Sequence, residues 1–308
     1  MSEHLSVTVT VPATTANLGA GFDCIGAALS LYNEFTFSFS DSETQIYITG
    51  AEAERVATDK SNLLYQGFSY LYQQLQQIPP PVEIQIKLGI PLARGLGSSA
   101  TAIVAGLLGA NVLLGKPFSQ TEIMNFAIAM EGHPDNVVPA LIGGCRLAAT
   151  SVFGWEICDI PWSDAIIPVV AIPDFELSTS TARQVLPINI NRADAIFNIA
   201  HLGLLIRGLE TANPAWISTA LDDKLHQPYR KSLIHGYPEV EQAVKAAGGY
   251  GMVISGAGPT LLALTDPHHA QDVAVAMATS WQQQGIKTSV HTLTIDHVGA
   301  KIVCTGMG

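Results

Sequence analysis

The segment that most constrains this chain runs Pro91-Leu-Ala-Arg-Gly-Leu-Gly-Ser-Ser-Ala-Thr101. Before it, Val82, Ile84, Ile86 and Leu88 alternate with polar residues, the period-two signature of a half-buried strand. After it, Ala100 to Leu114 is apolar apart from Thr101, Gly106, Gly109 and Asn111, which reads as a buried helix. Gly95 and Gly97 between them permit positive φ and let the backbone approach a ligand closely. Their amides, with the unpaired N–H groups of the helix start, form an anion nest that the helix dipole reinforces. Ser98 and Ser99 add hydroxyls that can bond phosphate or sit on Mg2+. Taken alone, the same loop also reads as a plain strand-to-helix turn.

Composition narrows what such a loop is for. The 308 residues carry a formal net charge of −11, which argues against a nucleic-acid partner, since displacing counterions takes clustered Lys and Arg. A bound phosphate must therefore be held locally, by amides and a few chosen side chains. Cys24, Cys145, Cys158 and Cys304 form neither a C-x-x-C pair nor a metal-ligand spacing, and reduced thiols in a cytoplasmic protein are the expectation. Met1-Ser-Glu-His-Leu5 lacks the basic and apolar regions of a secretory leader. The apolar stretch from Ala100 falls short of the roughly 18 residues that suggest a membrane span, so no membrane partner is expected.

Two familiar phosphate loops do not fit. Gly95-x-Gly97-x-x-Ala100 matches a loose dinucleotide fingerprint, but the strand before it carries Glu83, Gln85 and Lys87, and a central parallel strand is uniformly apolar. The acidic residue about twenty positions on, Glu122, belongs to a helix cap. A Walker loop is excluded because Gly115-Lys116 is followed by Pro117.

Elsewhere, alternation predicts strands around Val7–Val11 and Phe35–Phe39, and apolar runs predict strands at Ile166–Ile172, Gly251–Ser255 and Leu261–Thr265. Ser61 stands as an N-cap before a helix marked by Leu64, Phe68, Leu71 and Leu75. Ser119 and Glu122 form a capping box for a helix to about Met130. Further helices are expected at Asp194–Glu210, Pro238–Ala247 and Pro267–Gln284. Strands and helices interleave without a repeating βα unit, so the fold class is α+β, with two domains, 1–155 and 156–308, and the site between them.

Pro-x-x-x-Gly-Leu-Gly-Ser-Ser-Ala resembles the nucleotide loop of the GHMP kinases. Pro12-Ala-Thr-Thr-Ala-Asn-Leu-Gly-Ala-Gly-Phe-Asp23 is similar to that family's N-terminal motif, and Ser255-Gly-Ala-Gly-Pro-Thr260 to its C-terminal one. Glu131-Gly-His-Pro-Asp-Asn-Val-Val-Pro139, Ser178-Thr-Ser-Thr-Ala-Arg183 and His226-Gln-Pro-Tyr-Arg230 resemble the homoserine kinase branch. The resemblance implies an N-terminal domain like ribosomal protein S5 domain 2 and a ferredoxin-like C-terminal domain. It also implies ATP and Mg2+ as cofactors, L-homoserine as substrate, and a homodimer.

By that resemblance Pro91 to Thr101, with Leu92, Ala93, Arg94, Leu96 and Ala100 among them, hold the nucleotide, and Asn62 contacts adenine. Ser99 and Glu131 are the implied Mg2+ ligands. Lys87, at the end of the strand before the loop, is a candidate for neutralising a phosphate. A zwitterionic amino alcohol needs a guanidinium for its carboxylate, a carboxylate for its ammonium and an oriented amide for its hydroxyl. Arg183 and Arg230 occupy the motif positions for the first task and Asp23 that for the second. Asn17 and Asn136 take the third, with His133, Thr179 and Gly256 lining the pocket. Asp135 is a tempting base, but a loose phosphoryl-transfer transition state asks more of positioning than of a base. Competing readings are another GHMP enzyme, such as mevalonate kinase or diphosphomevalonate decarboxylase, and a non-catalytic member of the fold. Mevalonate-type substrates offer Asp23 no ammonium.

Overall fold

A computed structural model describes residues 6–306. The Met1–Leu5 segment, read above as no leader, lies outside them. The chain opens with β1 (Ser6–Ala16), β2 (Ile25–Phe39) and β3 (Gln45–Gly50), then α1 (Leu63–Gln74), β4 (Val82–Leu88), α2 (Ser98–Leu113), α3 (Gln120–Glu131), α4 (Pro134–Ile142), β5 (Cys145–Ser151) and β6 (Gly154–Ile160). It continues through β7 (Ile167–Pro173), α5 (Thr179–Gln184), α6 (Arg192–Thr211), α7 (Pro214–Ala220), α8 (Gln227–Arg230) and α9 (Tyr237–Ala246). Last come β8 (Gly251–Ile254), β9 (Leu261–Thr265), α10 (Ala270–Gln283), β10 (Thr288–Thr292) and β11 (Lys301–Thr305).

Two sheets result. The first runs β11-β1-β2-β4-β3, and β5 pairs with the start of β2 and with β6. Its alternation has the expected consequence: Val7, Val9 and Val11 are fully buried, set against Phe37, Phe35 and Asn33 of β2. Phe35 and Phe37 in turn face Ile86 and Ile84 of β4, which gives a continuous apolar surface for α1 and α2. The second sheet runs β10-β7-β9-β8, antiparallel throughout. In chain order its strands stand fourth, first, third and second, the ferredoxin-like arrangement.

Helix α2 is apolar on every side, as a helix enclosed by protein must be. From Ala100 to Val112 only Ala102 is not buried. Glycines let it lie close to its neighbours: a Cβ on Gly106 would stand 2.2 Å from the Leu64 carbonyl oxygen of α1, and one on Gly109 would stand 2.5 Å from the Phe37 ring.

One expectation is corrected. Asn62, not Ser61, caps α1, accepting from the Leu64 amide at 3.0 Å. Ser61 instead donates to Asp59, because the Asp59 carboxylate offers it a charged acceptor two residues away. The division at 155/156 falls inside β6, which remains paired to β5. The chain also returns to the first sheet, where β11 joins β1. By sheet membership the first lobe is therefore residues 6–160 plus the final strand, and the second lobe lies between.

Close approach of α1 and α2 gives the first prediction. Gly106→Ala, which sets a methyl against the backbone of α1, is expected to destabilise the protein by about 2–3 kcal/mol. Gly203 in α6 has nothing within 4 Å of where its Cβ would stand, and Gly203→Ala is expected to stabilise by about 0.5–1 kcal/mol. Shifts of opposite sign in the urea midpoint would verify the pair.

Candidate active site

Three loops meet where the lobes face each other, and mostly main chain joins them. The Thr14 amide donates to the Leu96 carbonyl (3.1 Å) and the Gly256 amide to the Ala16 carbonyl (2.9 Å). The Ser255 hydroxyl reaches the Gly95 carbonyl at 2.7 Å, and Asn17 Nδ2 donates to the Gly256 carbonyl at 2.9 Å. Glycine is required here. A Cβ at Gly95 would lie 2.2 Å from the Ser255 carbonyl oxygen, and one at Gly97 2.0 Å from Thr14 Oγ1; both residues have positive φ. The three motifs singled out in the sequence thus form one junction.

Beside that junction opens a cleft of about 610 Å3, within the usual range for small-molecule sites. One end is apolar, walled by Phe35, Val56, Leu63, Ile86 and Leu88. The middle is the start of α2, capped by Gly97 in the left-handed conformation. Thr101 is the first residue of α2 to return a hydrogen bond to the cap, so the amides of Ser98, Ser99 and Ala100 are the unpaired donors of the helix start. Ser99 Oγ donates to Glu131 Oε1 at 2.8 Å, which joins the first turn of α2 to the last residue of α3.

The far end carries the charges. Arg183 of α5 grips Asp23 with both terminal nitrogens, at 2.8 and 3.0 Å. That hydrogen-bonded pair raises the Arg183 pKa further above its ordinary value. Arg230 is 1% exposed. Its Nε donates to the Ala182 carbonyl and Nη1 to the Gly256 carbonyl, at 3.0 and 3.1 Å. Burial, with the neighbouring Arg183 charge, lowers its pKa to about 10, so it remains cationic at neutral pH. Phe22 lies under both guanidinium groups, 5.8 Å from Arg183 and 5.1 Å from Arg230.

Most of the predicted residues meet in this cleft. Asn17, Asp23, Asn62, Ser98, Ser99, Glu131, His133, Asn136, Thr179, Arg183, Arg230 and Gly256 all line it, with Leu92, Ala93, Arg94, Gly95 and Gly97. Pro91, Leu96, Ala100 and Thr101 hold the loop from behind. Leu96 and Ala100 are buried, and the Thr101 hydroxyl donates to the Ser98 carbonyl.

Two expectations change, and two others gain a structural role. Lys87 does not face the cleft: Ile86 and Leu88 do, and strand alternation turns Lys87 to the opposite face, beside Glu34 in register. Arg94 is a strut. Its guanidinium is taken up by Glu52, Glu176 and the carbonyls of Leu92, Pro173 and Asp174. The Asn62 amide caps α1 and donates to the Ala57 carbonyl, and it keeps a second N–H at the cleft wall. Asn17 Oδ1 accepts from the Asp23 amide at 2.8 Å and its Nδ2 donates to the Gly256 carbonyl, so it shapes the loop while its second N–H remains available to orient a hydroxyl. Asn136 keeps that possibility, since Thr14 Oγ1 fixes its Oδ1 at 2.8 Å and Nδ2 carries one long contact, to Asp135 at 3.3 Å.

His133 Nδ1 lies 2.7 Å from Asp135 Oδ1, and this hydrogen bond raises the His133 pKa despite partial burial. Asp135 itself is 2% exposed and is not part of the cleft wall. Sequence reasoning missed Phe22, Thr14 and Asp223. Asp223 accepts from the amides of Leu225, His226 and Gln227 and from Asn198 Nδ2. An acidic residue just ahead of a Gln-Pro helix start was the available signal for it.

Comparison with known proteins agrees with this geometry. The family described as GHMP kinases N terminal domain matches residues 62–144, and GHMP kinases C terminal matches residues 205–283. The homoserine kinase of Microchaete diplosiphon is 66% identical over 307 residues, covering 99% of this chain and 100% of the relative. That of Thermosynechococcus vestitus is 56% identical over 295 residues, 96% of this chain and 98% of its own. A crystal structure of homoserine kinase from Cytophaga hutchinsonii aligns with a TM-score of 0.87 at 31% identity, covering 97% of each chain. L. major mevalonate kinase, with a TM-score of 0.72 over 93% of this chain and 95% of its own at 13% identity, shares the fold. With three ordered motifs gathered around one cleft, the chain belongs to the GHMP kinases, in the homoserine kinase branch.

Proposed function

We propose that this cleft transfers the γ-phosphoryl group of ATP to the hydroxyl of L-homoserine, giving ADP and O-phospho-L-homoserine, a step of threonine biosynthesis. The observation that carries the reading is the grouping of Asp23, Arg183 and Arg230 in the same cleft as the Ser99–Glu131 pair. The free amides of α2 supply a site for the polyphosphate without a Walker lysine. The apolar end, from Phe35 to Leu88, suits the nucleobase.

Ser99 and Glu131 fit Mg2+. They offer a hydroxyl and a carboxylate, hard oxygen donors in small number, which leaves room for phosphate oxygens and water. Among the described residues no group of three or more His, Cys, Asp or Glu side chains is assembled that would favour another metal. When bound there, Mg2+ would neutralise charge on the transferring phosphate.

The Asp23–Arg183 pair explains selectivity for a zwitterion. An ammonium placed on Asp23 and a carboxylate on Arg183 replace one ion pair by two, so neither charge is left uncompensated. A substrate lacking the ammonium, such as mevalonate, would strand Asp23. Arg230, pinned through Nε and Nη1, keeps Nη2 for the same carboxylate. Asn136 offers its remaining N–H to the hydroxyl. No base is assigned: Asp135 is turned to His133 behind the wall, and in-line attack through a loose transition state depends on position and charge neutralisation.

The proposal includes a cytoplasmic homodimer. Helix α6 leaves Ile196 and Ile199 59% and 72% exposed, an apolar surface suited to a second copy. No helix among the described residues is long and apolar enough to cross a membrane.

Coupled ADP-release assays are expected to show Mg2+-dependent turnover with L-homoserine and none with mevalonate; the reverse preference would refute the assignment. Ser99→Ala and Glu131→Gln are each expected to lower kcat at least about 100-fold. Asp135→Asn is expected to retain kcat within about tenfold, below the usual contribution of a general base. Equilibrium sedimentation should return twice the 32.6 kDa chain mass, and Ile199→Asp should shift it toward the monomer.

A further inference from the structure

Behind Arg230 lies a buried polar cluster that the reaction as described does not use. His226, at the start of α8, is fully buried and stacks on Phe22, with ring centroids 5.2 Å apart and planes 20° apart. Its Nε2 stands 3.1 Å from the Gly19 carbonyl oxygen and 3.6 Å from Asp223 Oδ2. Both neighbours are acceptors, so the ring proton belongs on Nε2. In the neutral ring Nδ1 is then a bare lone pair, and it faces Arg230 Nη1 at 3.5 Å. Asp223, a fully buried carboxylate, fixes the turn that carries the ring through three amides and Asn198.

We propose that His226 is a positioning residue for substrate recognition: as the Nε2–H tautomer it tethers to Gly19 and directs its Nδ1 lone pair at Arg230. With His226, Gly256 and Ala182 drawing on Nη1 and Nε, the guanidinium cannot rotate, and Nη2 alone is presented to the cleft. The inference rests on the reading of Arg230 as a carboxylate ligand.

The surroundings agree. Burial, reinforced by the Arg230 charge, lowers the His226 pKa to about 4 against the opposing pull of Asp223 and Asp23. Arg183 lies 5.8 Å from the Phe22 ring on which His226 stacks. A protonated His226 would set a second cation against Arg230. A neutral one accepts from it.

Two substitutions separate the ring nitrogens. His226→Asn keeps an acceptor near Nδ1 and loses the Gly19 tether, whereas His226→Gln keeps a donor near Nε2 and loses the acceptor. Both lose the stack on Phe22, so that loss cancels in the comparison. His226→Gln is expected to raise KM for L-homoserine at least about tenfold and His226→Asn less than about threefold, with KM for ATP unchanged in both. Equal effects, or a larger effect of Asn, would overturn the inference. Arg230→Lys is the control. If it raises KM for L-homoserine while the histidine variants do not, only the role of His226 fails; if it leaves KM unchanged, the carboxylate reading fails with it. Independently of any variant, 15N spectra of histidine-labelled enzyme should show His226 as the neutral Nε2–H form. The Nδ1–H form, or a charged ring at pH 7, would refute the proposal.

Discussion

The structure depends on one contact in which no side chain fits: the nucleotide loop lying against the C-terminal glycine loop, main chain to main chain. Gly95 cannot carry a Cβ because the Ser255 carbonyl occupies that volume, and Gly97 cannot because Thr14 does. The closeness lets Ser255 reach the Gly95 carbonyl and lets the Gly256 amide reach Ala16. Once these bonds form, the head of α2 has a fixed direction relative to both lobes. The same approach excludes bulky side chains from the space in front of the α2 amides, so the anion nest is open to a ligand.

Charge is distributed with similar economy of groups. The chain is acidic overall, and the cleft is made hospitable to anions by a helix terminus and two arginines with donors to spare. Arg94 shows the contrast. It sits in the nucleotide loop and borders the same cleft, yet its donors are taken up by two glutamates and three carbonyls. An arginine's place in a motif does not decide whether it binds a ligand; the acceptors already around it do. Arg183 is an intermediate case, engaged by Asp23 in a pair that a zwitterion can divide.

Much of the fold and site was legible because local patterns carried them. Alternation marked β1, β2 and β4, the Ser119–Glu122 box marked α3, and the motifs named most of the polar groups in the cleft. What escaped depends on partners distant in sequence. Strand β11 has Ile302 and Val303 partly exposed, so it lacks a clean apolar face and is defined by pairing with β1. Lys87 looked well placed by its nearness to the loop, but the strand's two-fold period sends it to the other face. The Asp23–Arg183 pair joins residues 160 apart, and a sequence alone gives no sign that two groups chosen for one substrate also bind each other. Ser61 reads as the cap of α1, and the nearby Asp59 carboxylate draws it away, leaving the role to Asn62.

The return of β11 to the first sheet means the second lobe is not a bead on a single thread. The chain crosses outward between β6 and β7 and back between β10 and β11. The return crossing is sewn down, with Leu29 bridging Ile295 and Thr294 bonded to Ser30. A body held at two points can turn about the line joining them but cannot swivel freely. Any opening of the cleft is thereby confined to a hinge-like path, with the Asp23–Arg183 pair spanning the two lobes.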